Sequence, residues 1–386
     1  MPKPERTLPA LFALTVPGLE AVTAREIEDD LGGIVKKKMQ GIVVFRVDHL
    51  DESVLKLRTA EDVFLLAWGS DALTYRAADL EMIQKWTARE PNWPQLLQYH
   101  KAIRPKPKGR PSFRLIAQMH GEHGYKRSDA FEALDKGLRG KIPSHLIPTA
   151  EDATLEIWLR IMGKRALCGV RLSDSKLRHR TYKSEHIQAS LRPVVAAAMV
   201  RLGTQEGFTI DPCCGAGTLL AESFHSNRHV QMIGGDIDKN ALVAAGTNLK
   251  GWRDYPPLIR WDARELPLAQ GSVAKILCNP PFGRQLSKPE EIAALYADMV
   301  AEWQRVLQPG GQAVILASDI EALQAAAWEQ GWQQEGLYRI RLLGWPATIS
   351  VWRSRYGSFT SKWDPTPIAT TDADMSEDAW DEEDEQ

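Results

Sequence analysis

The sequence predicts an α/β protein with two differently built parts. Short apolar strands alternate with helices after Ser190, and a glycine-rich turn follows the first of those strands. Alternating strands and helices are typical of a doubly wound, mostly parallel sheet, which we therefore expect in the C-terminal part. Residues 11–70 instead have a β-α-β-β pattern, which predicts a smaller α+β arrangement in the N-terminal part.

The C-terminal alternation begins with a helix from Leu191, which Gly203 ends, and it closes with two strands around Gly344. The predicted strands between them have the sequences FTID, QMIGGD, PLIRWD, AKILCN and QAVILA. The predicted helices lie near residues 218–225, 239–249, 290–307 and 319–331.

The N-terminal half is predicted to contain strands near 11–16, 41–47 and 63–68, with a helix over 18–31. Helices broken at Pro91, a further strand, a helix from about Ser128 and two strands meeting near Gly163 follow. The charged stretch after these strands lacks apolar periodicity and is interpreted as a linker. We divide the chain into segments 1–70, 71–175, 176–189 (linker), 190–360 and 361–386 (an acidic tail expected to be disordered).

Composition excludes several classes of protein. Hydrophobic residues make up 44% and charged residues 25% of the 386 residues, which is ordinary globular composition. The sequence contains no apolar run long enough for a transmembrane helix, and it shows no signal-peptide cleavage pattern. Four cysteines in so long a chain are not a disulfide framework, so we expect a reducing, cytoplasmic compartment and no membrane partner.

The formal net charge of −2 conceals an uneven distribution. The last 16 residues contain nine acidic residues and no basic one, so the rest of the chain carries +7. Lysine and arginine clearly outnumber aspartate and glutamate between Lys101 and Lys183. A basic region of this kind is typical of a protein that binds nucleic acid phosphates, although a solvated lysine-rich surface would look the same.

The glycine-rich turn reads Asp-Pro-Cys-Cys-Gly-Ala-Gly-Thr and starts at Asp211. Gly215 and Gly217 allow a tight turn and a close backbone approach to a ligand at the carboxyl end of a strand. The turn is not a P-loop, because no lysine follows the glycines. A leading acid favours a ligand with positive charge, such as an ammonium or a sulfonium.

Two further acids follow predicted strands. Asp236 lies about 20 residues after the glycine turn, where an acid binds ribose hydroxyls in nucleoside-binding α/β folds. Asp262 ends the next strand and can accept a hydrogen bond from an adenine amine. Asp238 is predicted to cap a helix instead. Acids at three successive strand ends are expected to line one crevice.

The fourth motif, Asn-Pro-Pro-Phe, begins at Asn279 after an apolar strand. The two prolines hold the backbone extended and leave carbonyl groups without local partners. The side-chain oxygen of Asn279 and the carbonyl of Pro280 are placed to accept the two N–H bonds of a planar amine. Phe282 offers a ring on which the base can stack.

These motifs, over about residues 190–355, resemble class I S-adenosylmethionine-dependent methyltransferases that act on amines, a Rossmann-like fold. The sequences FRLIAQMHGEHGYKRSDAFEALDKGL and LEIWLRIMGKRALCGVRLSD resemble a THUMP domain, preceded by a ferredoxin-like module. The combination is similar to the THUMP-containing guanosine-N2 methyltransferases of tRNA. The resemblance therefore implies an S-adenosylmethionine cofactor, a tRNA partner, an acceptor-stem guanosine as target, no metal and a monomer.

The resemblance also implies roles for individual residues. The expected catalytic set is Asn279, Pro280 and Phe282, which hold the guanine. The expected cofactor-binding set is Asp211, Cys213, Gly215, Gly217, Asp236, Ile237, Asp262, Ala263 and Asn279. The basic residues expected to contact RNA are Lys126, Arg127, Arg139, Lys141, Arg178, Arg180 and Lys183.

Alternatives remain open from sequence. The Asn-Pro-Pro-aromatic motif serves amines on several bases, so a guanine of ribosomal RNA and the N6 amine of adenine in DNA are alternative targets. The THUMP-like half favours RNA over DNA. A different class is an RNA-binding protein whose methyltransferase domain is inactive or needs a partner. A cysteine nucleophile is disfavoured because Cys278 is expected to be buried. A zinc site is disfavoured because no cysteine–histidine pair has ligand spacing.

Overall fold

The structure is a computed structural model of the chain. It describes residues 8–104, 110–185, 187, 190–204, 206–252, 256–281, 289–342 and 344–354. Phe282 and the predicted acidic tail lie outside the described residues. The chain divides into two compact units. Of the described residues, the first unit contains those within 8–15 and 23–177, and the second contains those within 16–22 and 178–354.

The N-terminal half of the chain contains eight strands and five α-helices among its described residues. The strands are β1 (Leu11–Leu14), β2 (Ile34–Met39), β3 (Ile42–Arg46), β4 (Asp62–Ser70), β5 (Ser112–His120), β6 (Ile147–Pro148), β7 (Leu155–Met162) and β8 (Arg165–Arg171). The helices are α1 (Glu20–Leu31), α2 (Ala78–Arg89), α3 (Trp93–Ile103), α4 (Arg127–Leu138) and α5 (Ser175–His179).

The described strands of the first unit form one sheet in the order β2-β3-β1-β4-β8-β7-β5-β6. The predicted segments 1–70 and 71–175 share this sheet, because β4 pairs antiparallel with β8. Side chains along a strand alternate between the two faces of the sheet, and in β7 this places Leu155, Ile157 and Leu159 on one buried face. The break predicted at Pro91 separates α2 from α3, and the side chain of Asn92 caps α3.

The second unit contains the C-terminal alternation of strands and helices. Its described strands are β9 (Thr209–Asp211), β10 (Met232–Asp236), β11 (Leu258–Arg260), β12 (Val273–Cys278), β13 (Leu307–Ala317), β14 (Gln333–Leu342) and β15 (Trp345–Arg353). Its helices are α6 (Pro193–Leu202), α7 (Thr218–Ser226), α8 (Lys239–Leu249), α9 (Pro289–Val306) and α10 (Ile320–Glu329).

The strand order in the second unit is β11-β10-β9-β12-β13-β15-β14. The pairs from β11 to β13 are parallel, whereas β15 pairs antiparallel with both β13 and β14. Successive residues of β13 enter different cores: Ile315 packs with α9 and α10, and Leu316 packs with α6. Helices therefore cover both faces, which confirms the predicted doubly wound, mostly parallel sheet.

Four short elements were not predicted from the sequence, and one of them is the 3₁₀ helix Glu52–Lys56. β2 has the sequence IVKKKM and is largely exposed at the sheet edge, where lysines are common because they discourage pairing with another chain. β6 has two residues, and α5 begins at the end of segment 71–175 and runs into the predicted linker. Such elements depend on neighbours distant in sequence rather than on local periodicity.

Candidate active site

The candidate site lies at the carboxyl ends of β10, β9 and β12, which are adjacent in the sheet. The glycine turn connects β9 to α7. Gly215 and Gly217 have φ values of 51° and 77°, in the left-handed region that only glycine adopts without strain. Gly217 is the N-cap residue of α7. The turn therefore brings backbone amides to the strand ends, as predicted for a ligand loop.

Asp211 is 1% exposed at the end of β9. Its Oδ1 accepts a hydrogen bond from the Cys213 amide at 3.2 Å, whereas its buried Oδ2 has no partner among the described residues. Burial raises the pKa of this carboxyl well above its usual range, and the nearby Asp236 raises it further. A buried acid with an unused oxygen is suited to a cationic ligand group, because such a group would restore its ionised form.

Asp236 connects the glycine turn to the end of β10. Its Oδ2 accepts a hydrogen bond from the Gly215 amide at 2.9 Å, and its Oδ1 accepts one from the Asp238 amide at 3.0 Å. Asp238 caps α8 through a hydrogen bond from the Asn240 amide, which confirms its predicted role. Asp236 therefore fixes the loop geometry, and its carboxylate has further lone pairs for ribose hydroxyls.

Residues after β11 form the neighbouring side of the site. The absence of a side chain at Gly235 makes room for the Trp261 ring, since a Cβ there would lie 2.0 Å from that ring. Trp261 Nε1 donates to the carbonyl of Pro212 at 3.1 Å. Ala263 is buried, and Ile237, predicted to contact the cofactor, is 60% exposed.

Asp262, predicted to accept from an adenine amine, is held by a charged neighbour. Its carboxylate is paired with Arg264 at 2.7 Å, and this hydrogen bond lowers the pKa of Asp262. Both residues line an open cavity of about 540 Å³ together with α9. The pairing does not prevent a further hydrogen bond, because a carboxylate accepts several.

Asn279 and Pro280 directly follow β12. The Asn279 Oδ1 is buried and has no partner among the described residues. An unpartnered buried amide oxygen is costly, typically by about 1–3 kcal/mol, so it indicates a site for a donor that binds there. This oxygen and the unpartnered oxygen of Asp211 follow adjacent strands, since β9 pairs with β12. Phe282, predicted to stack on the base, lies outside the described residues.

Cys278, buried next to the site, is not placed to act as a reactive thiolate. Burial raises the pKa of Cys278 well above its usual range, and its hydrogen bond with Cys213 raises it further. A thiol in this state is a poor nucleophile, which agrees with the low weight given to a cysteine mechanism. Among the described residues, no group of three or more histidine, cysteine or acidic side chains is placed to hold a metal ion.

Part of the predicted linker is attached to the site. Asn248, on α8 and 3% exposed, accepts hydrogen bonds from the amides of Ser184 and Glu185 at 3.0 and 2.8 Å. Its Nδ2 donates to the carbonyls of Glu185 and Ala216 at 3.0 and 2.9 Å. Ala216 lies between the two turn glycines, so Asn248 joins residues 184–185 to the glycine turn. No sequence motif singles out Asn248, and its one signal is that it is an asparagine in a mostly apolar helix.

A buried acid attaches the same segment to α7. Glu222 is 2% exposed, and its Oε1 accepts hydrogen bonds from Tyr182 Oη at 2.6 Å and Arg180 Nε at 3.3 Å. Lys183 donates to the Leu191 carbonyl at 2.5 Å, and burial lowers its pKa to about 8. The interpretation of Arg180 and Lys183 as RNA-contacting surface residues does not fit these positions, because both side chains are buried inside the second unit.

The other basic candidates are placed differently. Arg178 is half-buried. Lys126, Arg127, Arg139 and Lys141 are exposed, at or near the two ends of α4. Arg139 pairs with Asp135 at 3.6 Å on the surface, a contact that solvent screens. These four side chains remain available to phosphates, and their predicted role remains a prediction.

Comparison with known proteins gives consistent matches. Residues 180–345 match the family described as UPF0020, RMKL-like methyltransferase domain. A "tRNA (guanine(6)-N2)-methyltransferase" of Thermus thermophilus is 28% identical over 315 residues, covering 79% of this chain and 88% of that protein. A human "U6 snRNA (guanine-N(2))-methyltransferase THUMPD2" is 31% identical over 169 residues, and the chain spans about a third of its length (32%).

The fold has relatives of known structure. The crystal structure of TrmN from Thermus thermophilus superposes with a TM-score of 0.72, at 24% identity, covering 89% of this chain and 99% of that one. A putative methyltransferase, SMU.472, complexed with SAH superposes with a TM-score of 0.67, at 16% identity, covering 92% of this chain and 100% of that one.

The fold and the matches define the second unit as a class I, Rossmann-like methyltransferase domain, and they imply S-adenosylmethionine as the cofactor. The methyltransferase part of the resemblance read from the sequence is therefore confirmed. The unpartnered oxygen of Asp211 and the glycine turn fit this cofactor, whose methionine part carries an ammonium and a sulfonium.

Proposed function

We propose that this protein transfers a methyl group from S-adenosylmethionine to the exocyclic N2 amine of a guanosine in tRNA. The favoured target is an acceptor-stem guanosine, and position 6 is the one named for the Thermus relative. The similarity to that relative spans 315 residues, more than the whole second unit, so it includes part of the N-terminal half. The observation that carries the proposal is the buried, unpartnered Oδ1 of Asn279.

The cofactor-binding residues would contact different parts of S-adenosylmethionine, according to the charge and position of each residue. Asp211 would face the cationic methionine part, and the turn around Gly215 and Gly217 gives its backbone close access. Asp236 would hold the ribose while bracing the turn, and Asp262 would accept from the adenine amine. Cys213, Ile237 and Ala263 adjoin these residues in sequence and complete the predicted set. When bound, S-adenosylmethionine supplies an electrophilic methyl group.

The target amine is a poor nucleophile, because its lone pair is conjugated with the guanine ring. Asn279 Oδ1 and the Pro280 carbonyl would accept its two N–H bonds, which favours a more pyramidal and more nucleophilic nitrogen. The same oxygens stabilise the positive charge that develops on the nitrogen, and Phe282 would stack on the base. Positioning provides much of the remaining acceleration, and no protein nucleophile takes part. A guanosine inside a stem must first be flipped out.

Substituting Asn279 tests this assignment. Asn279→Ala should lower kcat by about 100-fold or more, as expected for loss of an oxygen that stabilises developing charge. The Kd for S-adenosylmethionine should change much less. The matched control is Asn240→Ala on α8, an asparagine whose side chain is exposed rather than buried. Unchanged turnover of Asn279→Ala at full cofactor occupancy would refute the assignment.

Other substrates are distinguished by which RNA accepts the methyl group. The "Ribosomal RNA large subunit methyltransferase K/L" of Aliivibrio fischeri is 25% identical over 269 residues, but this chain spans 36% of it. That relative makes 23S ribosomal RNA the second candidate substrate. An inactive, RNA-binding domain is disfavoured, because such a domain has no reason to keep the oxygens of Asp211 and Asn279 buried and unpartnered. Measured binding of S-adenosylmethionine would exclude it.

RNA handling is proposed for the N-terminal half, with segment 1–70 as a ferredoxin-like module and 71–175 as a THUMP-like domain. Lys126, Arg127, Arg139 and Lys141 would contact phosphates, which are read by shape in structured RNA. A monomer in the cytoplasm is the assembly and compartment that this role favours. No helix among the described residues is long and apolar enough to cross a membrane.

A further inference from the structure

The hairpin formed by β14 and β15 extends beyond the rest of the sheet at the catalytic edge. Ala317, the last residue of β13, pairs with Thr348 of β15. β15 begins three residues earlier, at Trp345, which pairs with Leu342. Since β15 is antiparallel to β13, those residues point past the carboxyl ends of the strands. At about 3.3 Å per residue, the hairpin overhangs β13 by about 10 Å.

The tip of this hairpin has an unusual surface for a soluble domain. Trp345 is 57% exposed, and the adjacent Gly344 and Pro346 are exposed as well. Arg339 is exposed and Arg341, which pairs with Pro346, is half-buried. Strand alternation places both arginines on the face of the hairpin opposite to Trp345, so the tip carries an exposed aromatic ring on one face and positive charges on the other. Proteins stack aromatic rings on bases and use positive charges to attract phosphates in single-stranded nucleic acid.

The tip also lies within reach of the predicted methyl-transfer position. Cys278 on β12 pairs with Ile315 on β13, and Ile315 pairs with Ser350 on β15. Because β15 is antiparallel to the other two strands, Asn279 is level with Ile349, the residue before Ser350. Trp345 is four residues further along, about 13 Å, and two strands across, about 10 Å. The two backbone positions are therefore about 16 Å apart, a distance that a few nucleotides span.

We propose that the hairpin tip is an RNA-binding surface, in which Trp345 stacks on a nucleotide flanking the target guanosine while Arg339 and Arg341 attract the neighbouring phosphates. This inference rests on the proposed function and adds a substrate contact in the catalytic unit itself. Stacking beside the target would help to hold the strand once the guanosine has left its stem.

A second exposed tryptophan provides a matched control. Trp328 is 58% exposed near the C-terminal end of α10. That end leads to Gln333, which pairs with Arg353. Arg353 pairs in turn with Gln312, which lies five residues before the last residue of β13. Trp328 is therefore near the amino edge of the sheet, opposite to the edge with Asn279. Because Trp345 and Trp328 are equally exposed but lie toward opposite edges of the sheet, comparing their alanine variants separates a specific RNA contact from a general effect of removing an indole ring.

The experiment compares Trp345→Ala, Trp345→Phe and Trp328→Ala. We measure Kd for an unmodified tRNA transcript, KM for that tRNA, and Kd for S-adenosylmethionine. Trp345→Ala should weaken tRNA binding by about tenfold and raise the tRNA KM similarly, whereas Trp345→Phe should retain most of the affinity. Cofactor binding should be unchanged in all three variants, and Trp328→Ala should bind tRNA like the wild type.

Two results would overturn the inference: wild-type tRNA affinity in Trp345→Ala, or an equal loss in Trp328→Ala. Wild-type protein that methylates no RNA would instead overturn the proposed function. The binding comparison still tests the hairpin in that case, because it needs no turnover. Thermal unfolding of each variant controls for folding, which matters most for Trp328→Ala because the Trp328 ring packs edge-on against the buried Trp352, with ring centroids 6.5 Å apart.

Discussion

Replacing Asn248 with aspartate should weaken cofactor binding without abolishing the fold. Aspartate keeps oxygens that can accept from the Ser184 and Glu185 amides, but it cannot donate to the carbonyls of Glu185 and Ala216. The substitution therefore releases the glycine turn at Ala216 while leaving the other half of the connection in place.

The magnitude follows from the two donor bonds that are lost. A typical hydrogen bond contributes about 1 kcal/mol, so the variant loses about 2 kcal/mol in all. The bond to Glu185 affects mainly the attachment of the segment, whereas the bond to Ala216 acts within the turn that receives the cofactor. We expect about 1 kcal/mol to appear as weaker S-adenosylmethionine binding, a change in Kd of about fivefold.

The assay is calorimetric titration with S-adenosylmethionine, together with kcat and KM for both substrates. Asn248→Asp should raise the cofactor Kd and KM while leaving the tRNA KM near the wild-type value. The control is Thr247→Val, a neighbour whose hydroxyl donates to the Val243 carbonyl on the same helix. Wild-type cofactor affinity in Asn248→Asp, with the fold intact, would refute the coupling between residues 184–185 and the turn.

Two further predictions concern protonation in the site. Because burial raises the pKa of Asp211, its carboxyl is neutral at acidic pH. The affinity for S-adenosylmethionine should therefore increase as the pH rises through that raised pKa and then level off. Asp211→Asn should bind the cofactor weakly with a flat pH profile, and a pH-independent Kd of the wild type would contradict the assignment. Cys278→Ala should keep turnover within about twofold of the wild type, because a thiol with so high a pKa is not a nucleophile. Loss of all turnover in a folded Cys278→Ala variant would instead favour a cysteine mechanism.

Much of the candidate site was predictable because its residues follow strands directly. The turn after Asp211 needs glycines at Gly215 and Gly217, and the extended Asn-Pro-Pro stretch follows from its prolines. In a parallel sheet, residues at strand ends meet at one edge, so local patterns were enough to bring Asp211, Asp236 and Asn279 together.

The remaining features depend on contacts between distant parts of the sequence. Arg180 and Lys183 looked like surface charges, yet Arg180 is buried against Glu222, which lies 42 residues away. Asn248 is recognisable only once Ser184 and Ala216 are seen around it. The pairing of β4 with β8 likewise joins segments about a hundred residues apart, for which no local pattern gives a signal.

The most direct test of the central claim is methyl transfer from labelled S-adenosylmethionine to unmodified tRNA and, in parallel, to unmodified ribosomal RNA. Nucleoside analysis then identifies the product, and Asn279→Ala serves as the inactive control. The proposed function predicts N2-methylguanosine in tRNA with the wild type and almost none with the variant. Label in ribosomal RNA alone, or no label in tRNA from protein that binds the cofactor, would contradict it.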